Sequence, residues 1–102
     1  MIIVTVDVTL EGAMPDTLKD AIATMDVASN AEAGCRIYAT SQDVTDPRKL
    51  RIYEEWDTME ALMQHFQTPH MAAFQQAFAG VSVTSMTRRA YQGATEVEFP
   101  NA

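Results

Sequence analysis

The hydrophobic period of this chain changes in a fixed order, and that order limits the folds open to it. Residues 2–10, IIVTVDVTL, alternate, with Val4, Val6, Val8 and Leu10 on one side and Thr5, Asp7 and Thr9 on the other. A period of two predicts a strand, and Ile3 leaves its second side mixed rather than fully wet. Beyond Gly12 and Pro15 the period lengthens: Leu18, Ile22, Met25 and Ser29 recur at helical spacing, which predicts a helix over about 16–31. Pro15 suits its first turn and Gly34 the residues past its end. Period two then returns twice, in CRIYATSQ (35–42) and KLRIYEEW (49–56), with Asp46-Pro47 marking the loop between.

Asp57 and Glu60 have capping-box spacing, and Met59, Leu62, Met63 and Phe66 stripe a short helix after them. Thr68 caps a further helix with Pro69 in its first turn, Met71, Phe74 and Phe78 along one side, and Gly80 at its end. VSVTSMTRRAY (81–91) is the fourth strand, alternating at Val81, Val83 and Ser85. The tail, residues 92–102, holds either a short strand at 96–99 or no regular structure. The order βαββααβ is the split βαβ arrangement of the ferredoxin-like α+β class, with helices on one face of a four-stranded antiparallel sheet. The opposite face carries Ile3 and either Ile37 or Tyr38, too apolar for water, so a homodimer joined through the sheets is expected.

With 102 residues the chain is a single domain, its core spanning about 2–91. Hydrophobic residues at 47% and charged residues at 21% are globular values and argue against disorder. Fourteen acidic against seven basic side chains give a net charge of −7, which repels phosphate backbones, and the basic residues do not cluster. Nucleic acid is therefore excluded as a partner. No apolar run reaches the roughly 20 residues that a bilayer span needs, so no membrane partner is expected. A lone cysteine, Cys35, removes disulfide frameworks, and the opening MIIVTV shows no basic leader or cleavage site. A cytoplasmic location follows as the expectation.

Two histidines and one acid stand out as catalytic candidates. His65 borders the apolar stripe of its helix, where an imidazole can accept a proton near neutral pH; the plainer alternative is a helix histidine bonded to Glu54. His70 occupies the second position of the next helix, where the dipole favours the neutral ring that a base needs. Glu54 lies inside an apolar strand, and a carboxyl there requires a reason. Tyr38 on the neighbouring strand can orient a histidine or a substrate hydroxyl. Trp56, Phe66, Phe74 and Phe78 supply aromatic surface for a planar ligand, though a stripe at helical spacing is core before it is pocket wall. His65 and His70 stand five apart across a helix break, which is not zinc-helix spacing, and no glycine-rich phosphate loop precedes a helix. Neither a metal nor an organic cofactor is expected.

Four elements in this order resemble one family: Ala31-Glu32-Ala33-Gly34-Cys35 followed by Tyr38; the Asp46-Pro47 turn; Glu54-Glu55-Trp56; and Ala61-Leu62-Met63-Gln64-His65 leading to Thr68-Pro69-His70. The chain is similar over residues 2–91 to the antibiotic biosynthesis monooxygenases, which are dimeric α+β barrels. The resemblance implies a homodimer with a pocket between each sheet and its own helices. It also implies flavin-free, metal-free oxidation of a small aromatic, phenolic or quinol-type substrate by dioxygen. A deprotonated phenol or quinol is itself the reductant, and the protein supplies a dry cavity, a proton acceptor and orientation. Haem-degrading relatives use a histidine where this chain has Gln75 and an asparagine where it has Val4 or Thr5, so the resemblance does not extend to haem. The alternative is a non-catalytic dimeric barrel that binds a small hydrophobic molecule, because one fold hosts several chemistries.

Overall fold

A computed structural model describes residues 1–101 and runs β1 (Ile2–Leu10), α1 (Asp16–Asn30), β2 (Cys35–Gln42), β3 (Lys49–Trp56), α2 (Met59–His65), α3 (Pro69–Ala79) and β4 (Val83–Tyr91). The strands form one antiparallel sheet in the order β2-β3-β1-β4. Val4 faces Glu54, Val6 faces Ile52 and Val8 faces Leu50 across β1 and β3, so the apolar sets of both strands share one side. The helices lie on that side. Leu18 and Met25, two turns apart on α1, complete two packed clusters. One joins Met25 to Ile2, Tyr38, Ile52, Trp56 and Leu62; the other joins Leu18 to Val8, Leu10 and Leu50.

The expected class and element order hold, with local corrections. Tyr38 lies on the helix side and is buried, while Ile37 is the residue on the open side. Thr58, not Asp57, caps α2: its side chain accepts from the Ala61 N–H at 3.1 Å. The helix begins at Met59, which leaves Asp57 one residue too far upstream, and its carboxylate takes the Arg36 guanidinium instead. β4 begins at Val83, because the Val81 N–H turns back to the Phe78 carbonyl at 3.0 Å. A register shift between Thr9 and Leu10 then puts Ser85 opposite Thr9 on the open side, so Met86, Arg88 and Ala90 are the helix-side residues of β4. Residues 94–101 adopt no regular structure, with Val97 and Phe99 exposed; Ala102 lies outside the described residues.

The open side is mixed. Ile3, Ile37 and Tyr91 share it with an Asp7–Arg51 ion pair at 2.8 Å and a Tyr53 hydroxyl that donates to Glu55 at 2.6 Å.

Gly34 turns the chain from α1 into β2 with φ +82°, and a Cβ built there would sit 2.6 Å from the Ala61 methyl on α2. The backbone conformation costs an L-residue about 1–2 kcal/mol, and the contact adds to it. Gly34→Ala should therefore destabilise the fold by about 2 kcal/mol, read as a lower denaturant midpoint at unchanged slope. Gly93→Ala is the comparison: its φ is +79° but nothing lies within 4 Å, so the backbone cost alone applies.

Candidate functional site

Helices α2 and α3 cover β3 and part of β1 but leave the helix side of β4 open, and all of β4 is solvent-exposed. The uncovered space is a cavity of about 620 Å³. Val4, Val6 and Ile52 form its floor, Phe66, Phe74 and Phe78 its helical wall, and Met59, Met63 and Met86 an exposed rim. Thioether side chains at a rim adapt to irregular ligand shapes. A smaller polar depression of about 360 Å³, lined by Asp7, Ser41, Arg51 and Thr87 among others, lies toward the end of the sheet where β2 and β3 connect. It gathers no convergent set of buried titratable groups, so the apolar cavity is the candidate site.

Two polar side chains from neighbouring strands reach the cavity floor. Tyr38 and Glu54 are directly opposite in the β2–β3 ladder, and both line the cavity. Glu54 is only 5% exposed. The Trp56 indole N–H donates to its Oε1 at 2.9 Å, which fixes the carboxyl group and leaves Oε2 as its second acceptor. Burial pushes the Glu54 carboxyl up to about 7; the indole hydrogen bond opposes the shift, and the nearby Glu32 adds to it. Burial, reinforced by Glu54, also pushes the Tyr38 phenol upward, so it remains a protonated donor. The floor thus pairs a proton acceptor poised near neutrality with a hydroxyl donor.

The histidines lie in a second layer. His65 is 1% exposed and does not line the cavity; its ring packs against Tyr38 at 5.4 Å and Trp56 at 4.8 Å between centroids. Its Nδ1 lies 2.6 Å from Glu32 Oε2, and His70 Nε2 lies 2.7 Å from the same oxygen. The plainer sequence alternative, a bond from His65 to Glu54, is corrected here: Glu32 holds the ring, and Glu54 is held by Trp56. Trp56 is fully buried and is core rather than cavity surface. Of the eight site residues expected from sequence, Tyr38, Glu54, Phe66, Phe74 and Phe78 meet around the cavity, and Trp56, His65 and His70 support it from behind.

Glu32 was not selected from sequence. It sits in the turn after α1, where periodicity carries no information about a partner 33 positions along the chain, His65. With it, the two histidines form the group among the described residues whose donor atoms converge within 4.8 Å, a two-histidine, one-carboxylate set of the kind that holds divalent metals. Spacing along the sequence does not show this cluster, because its carboxylate comes from a distant turn. The separations of 2.6 and 2.7 Å are hydrogen-bond lengths, shorter than the about 3 Å between two ligands of one metal with bonds near 2.1 Å. The arrangement serves as a staple joining the α1–β2 turn to the ends of α2 and α3. Cys35, half-buried, has its thiol pushed up to about 11 by burial and by Glu32, Glu54 and Asp57, which makes it a poor nucleophile.

The family model for antibiotic biosynthesis monooxygenase matches residues 1–77. No curated protein matches the chain in sequence. Among solved structures, a candidate antibiotic biosynthesis monooxygenase of Deinococcus radiodurans is 22% identical with a TM-score of 0.82, covering 99% of this chain and 100% of that one. One from Nitrosomonas europaea is 20% identical with a TM-score of 0.84, over 93% and 100% of the two chains. A Pseudomonas aeruginosa protein is 21% identical with a TM-score of 0.80, over 92% and 94%. At these identities the likeness is one of fold.

Proposed function

The chain belongs to the antibiotic biosynthesis monooxygenase family, and from that membership we propose that it is a cofactor-independent monooxygenase of a phenolic or quinol-type aromatic. The observation that carries this reading is Glu54, a buried carboxyl on the floor of an apolar cavity, held by an indole and pushed up to about 7 by burial. Glu54 takes the substrate hydroxyl proton, and Tyr38 donates a hydrogen bond that orients the same oxygen. The phenolate then gives an electron to dioxygen, and a carbon–oxygen bond forms at an ortho or para ring carbon that bears hydrogen. Loss of that hydrogen as a proton and cleavage of the O–O bond release water and a quinone. All four electrons that reduce dioxygen come from the substrate, so the stoichiometry is phenol plus dioxygen to quinone plus water. The aromatic residues of the wall hold the ring flat, and exclusion of bulk water protects the intermediates. His65 and His70 act through Tyr38, Trp56 and the helices as positioning residues.

Dioxygen uptake on mixing the protein with a panel of hydroquinones and phenols, against heat-denatured protein, tests the reading. Uptake with quinone formation supports it. Ligand binding without any uptake returns the chain to the non-catalytic barrel, for which the methionine-rimmed apolar cavity alone suffices.

The homodimer belongs to the same proposal. Ile37, Tyr91, Val97 and Phe99 are exposed large hydrophobics, and two of them, Ile37 and Tyr91, lie on the open side of the sheet. Sedimentation at micromolar concentration should give twice the 11.3 kDa chain mass; a stable monomer would sink this part. A cytoplasmic location rests on the lone, half-buried thiol. Among the described residues, no helix is long and apolar enough to cross a membrane.

A further inference from the structure

Three arginines are occupied: Arg36 holds Asp57, Arg48 holds Asp46 and Arg51 holds Asp7. Arg88 and Arg89 make no ion pair among the described residues, although the chain carries twice as many acidic as basic side chains. Both border the cavity, Arg88 from the helix side of β4 and Arg89, opposite Thr5, from the open side; Glu54 is the only acidic residue among the described residues that line it. Arg88 pairs with Val6, which pairs with Ile52, so it stands on the cavity side of β4 one pleat away from the row that holds Glu54. Two strand spacings across and two residues along place the Cα atoms of Glu54 and Arg88 about 12 Å apart. That separation keeps the guanidinium away from the oxygen that Glu54 would deprotonate.

We propose that Arg88 is an anion-binding subsite, and that the substrate is a hydroxyarene with a carboxylate on the ring edge opposite its reacting hydroxyl. This rests on the apolar cavity being the substrate site. A net charge of −7 repels anions from most of the surface, so the unpaired guanidinium at the cavity marks the place where an anion is accepted. Its planar fork matches a carboxylate in two parallel hydrogen bonds, while the phenylalanine wall takes the ring. Residue 88 lies beyond the 1–77 that the family model matches, so the preference is read from this chain.

The test uses two fluorescent probes that differ only in the anion, 6-hydroxy-2-naphthoate and 2-naphthol, titrated under anaerobic conditions so that binding is measured without turnover. The wild-type protein should bind the naphthoate about fivefold more tightly, the upper end for an ion pair at an exposed side chain. Added salt should weaken the naphthoate alone. In Arg88→Gln the difference between the probes should collapse. Equal binding of both probes by the wild type, or a preference that survives Arg88→Gln, overturns the subsite and leaves the cavity reading standing. Failure of both probes to bind overturns the two together.

Discussion

Replacing Glu54 with glutamine is expected to lower turnover of an oxidisable phenol by about 100- to 10,000-fold while the fold stays intact. That range is what a positioned base contributes, roughly 3–5 kcal/mol of barrier. Glutamine is the informative substitution because its carbonyl oxygen can still accept the Trp56 indole N–H, now 2.9 Å from Oε1. The cavity wall therefore keeps its shape, and only the proton acceptor is lost. In the wild type, kcat/KM should rise with pH as Glu54 ionises near 7 and then level off. In Glu54→Gln that limb should vanish, leaving a residual rate that follows the ionisation of the phenol itself, near pH 10 for an ordinary phenol. A variant that keeps the limb near 7 would move the base elsewhere.

The same carboxyl gives a stability signature of opposite sense to an ordinary surface acid. Its folded value of about 7 lies above the ordinary 4.5, so the folded state holds the proton more tightly than the unfolded chain does. Below pH 4.5 both states are protonated and the contribution is complete. As pH rises from 4.5 through 7 the unfolded chain ionises first, and wild-type stability declines by at most about 3 kcal/mol. Glu54→Gln lacks this decline. Chemical denaturation at pH 5 and pH 8 should show the variant gaining on the wild type at the higher pH.

The fold was legible in the sequence because it is written in periods that local spacing reports. The alternation of Val4, Val6 and Val8 in the first strand and of Leu50 and Ile52 in the third placed both strands on one core, and the ladder sets Val6 opposite Ile52 and Val8 opposite Leu50. What failed was set by single-residue geometry. Asp57 and Thr58 are both good caps, and only the actual start of α2 at Met59 decides between them. Tyr38 and Ile37 are both apolar neighbours, and the irregular pairing between Cys35 and Ile37 decides which one faces the helices. At the site, Glu54 was legible as a carboxyl in an apolar strand. Glu32 was not, because an acid in a turn is unremarkable until the chain has folded its partners onto it.

That missed residue carries the largest expected loss of stability. Glu32→Ala should destabilise the protein by about 3 kcal/mol and lower its melting temperature by roughly 15 °C, since a hydrogen bond to a carboxylate contributes about 1.5–3 kcal/mol and two are removed. The cost is not shared evenly between them. His65 is 1% exposed, so its Nδ1 is left without a partner and out of reach of water, whereas His70 can turn toward solvent. His70→Ala alone should therefore cost only about 1 kcal/mol, and the double variant should fall short of the sum because the two groups share one oxygen. Glu32→Gln, which keeps one acceptor in place, should recover part of the loss. Leu62, Met63, Phe66 and Met71 ride on the helices that this staple fixes, and they line the cavity. At temperatures where Glu32→Ala is still folded, substrate binding should weaken while the rise of activity persists but moves to lower pH, because Trp56 still holds Glu54 and only the Glu32 charge that adds to its shift is lost. Disappearance of that rise would instead make the Glu32–His65–His70 group part of the proton path.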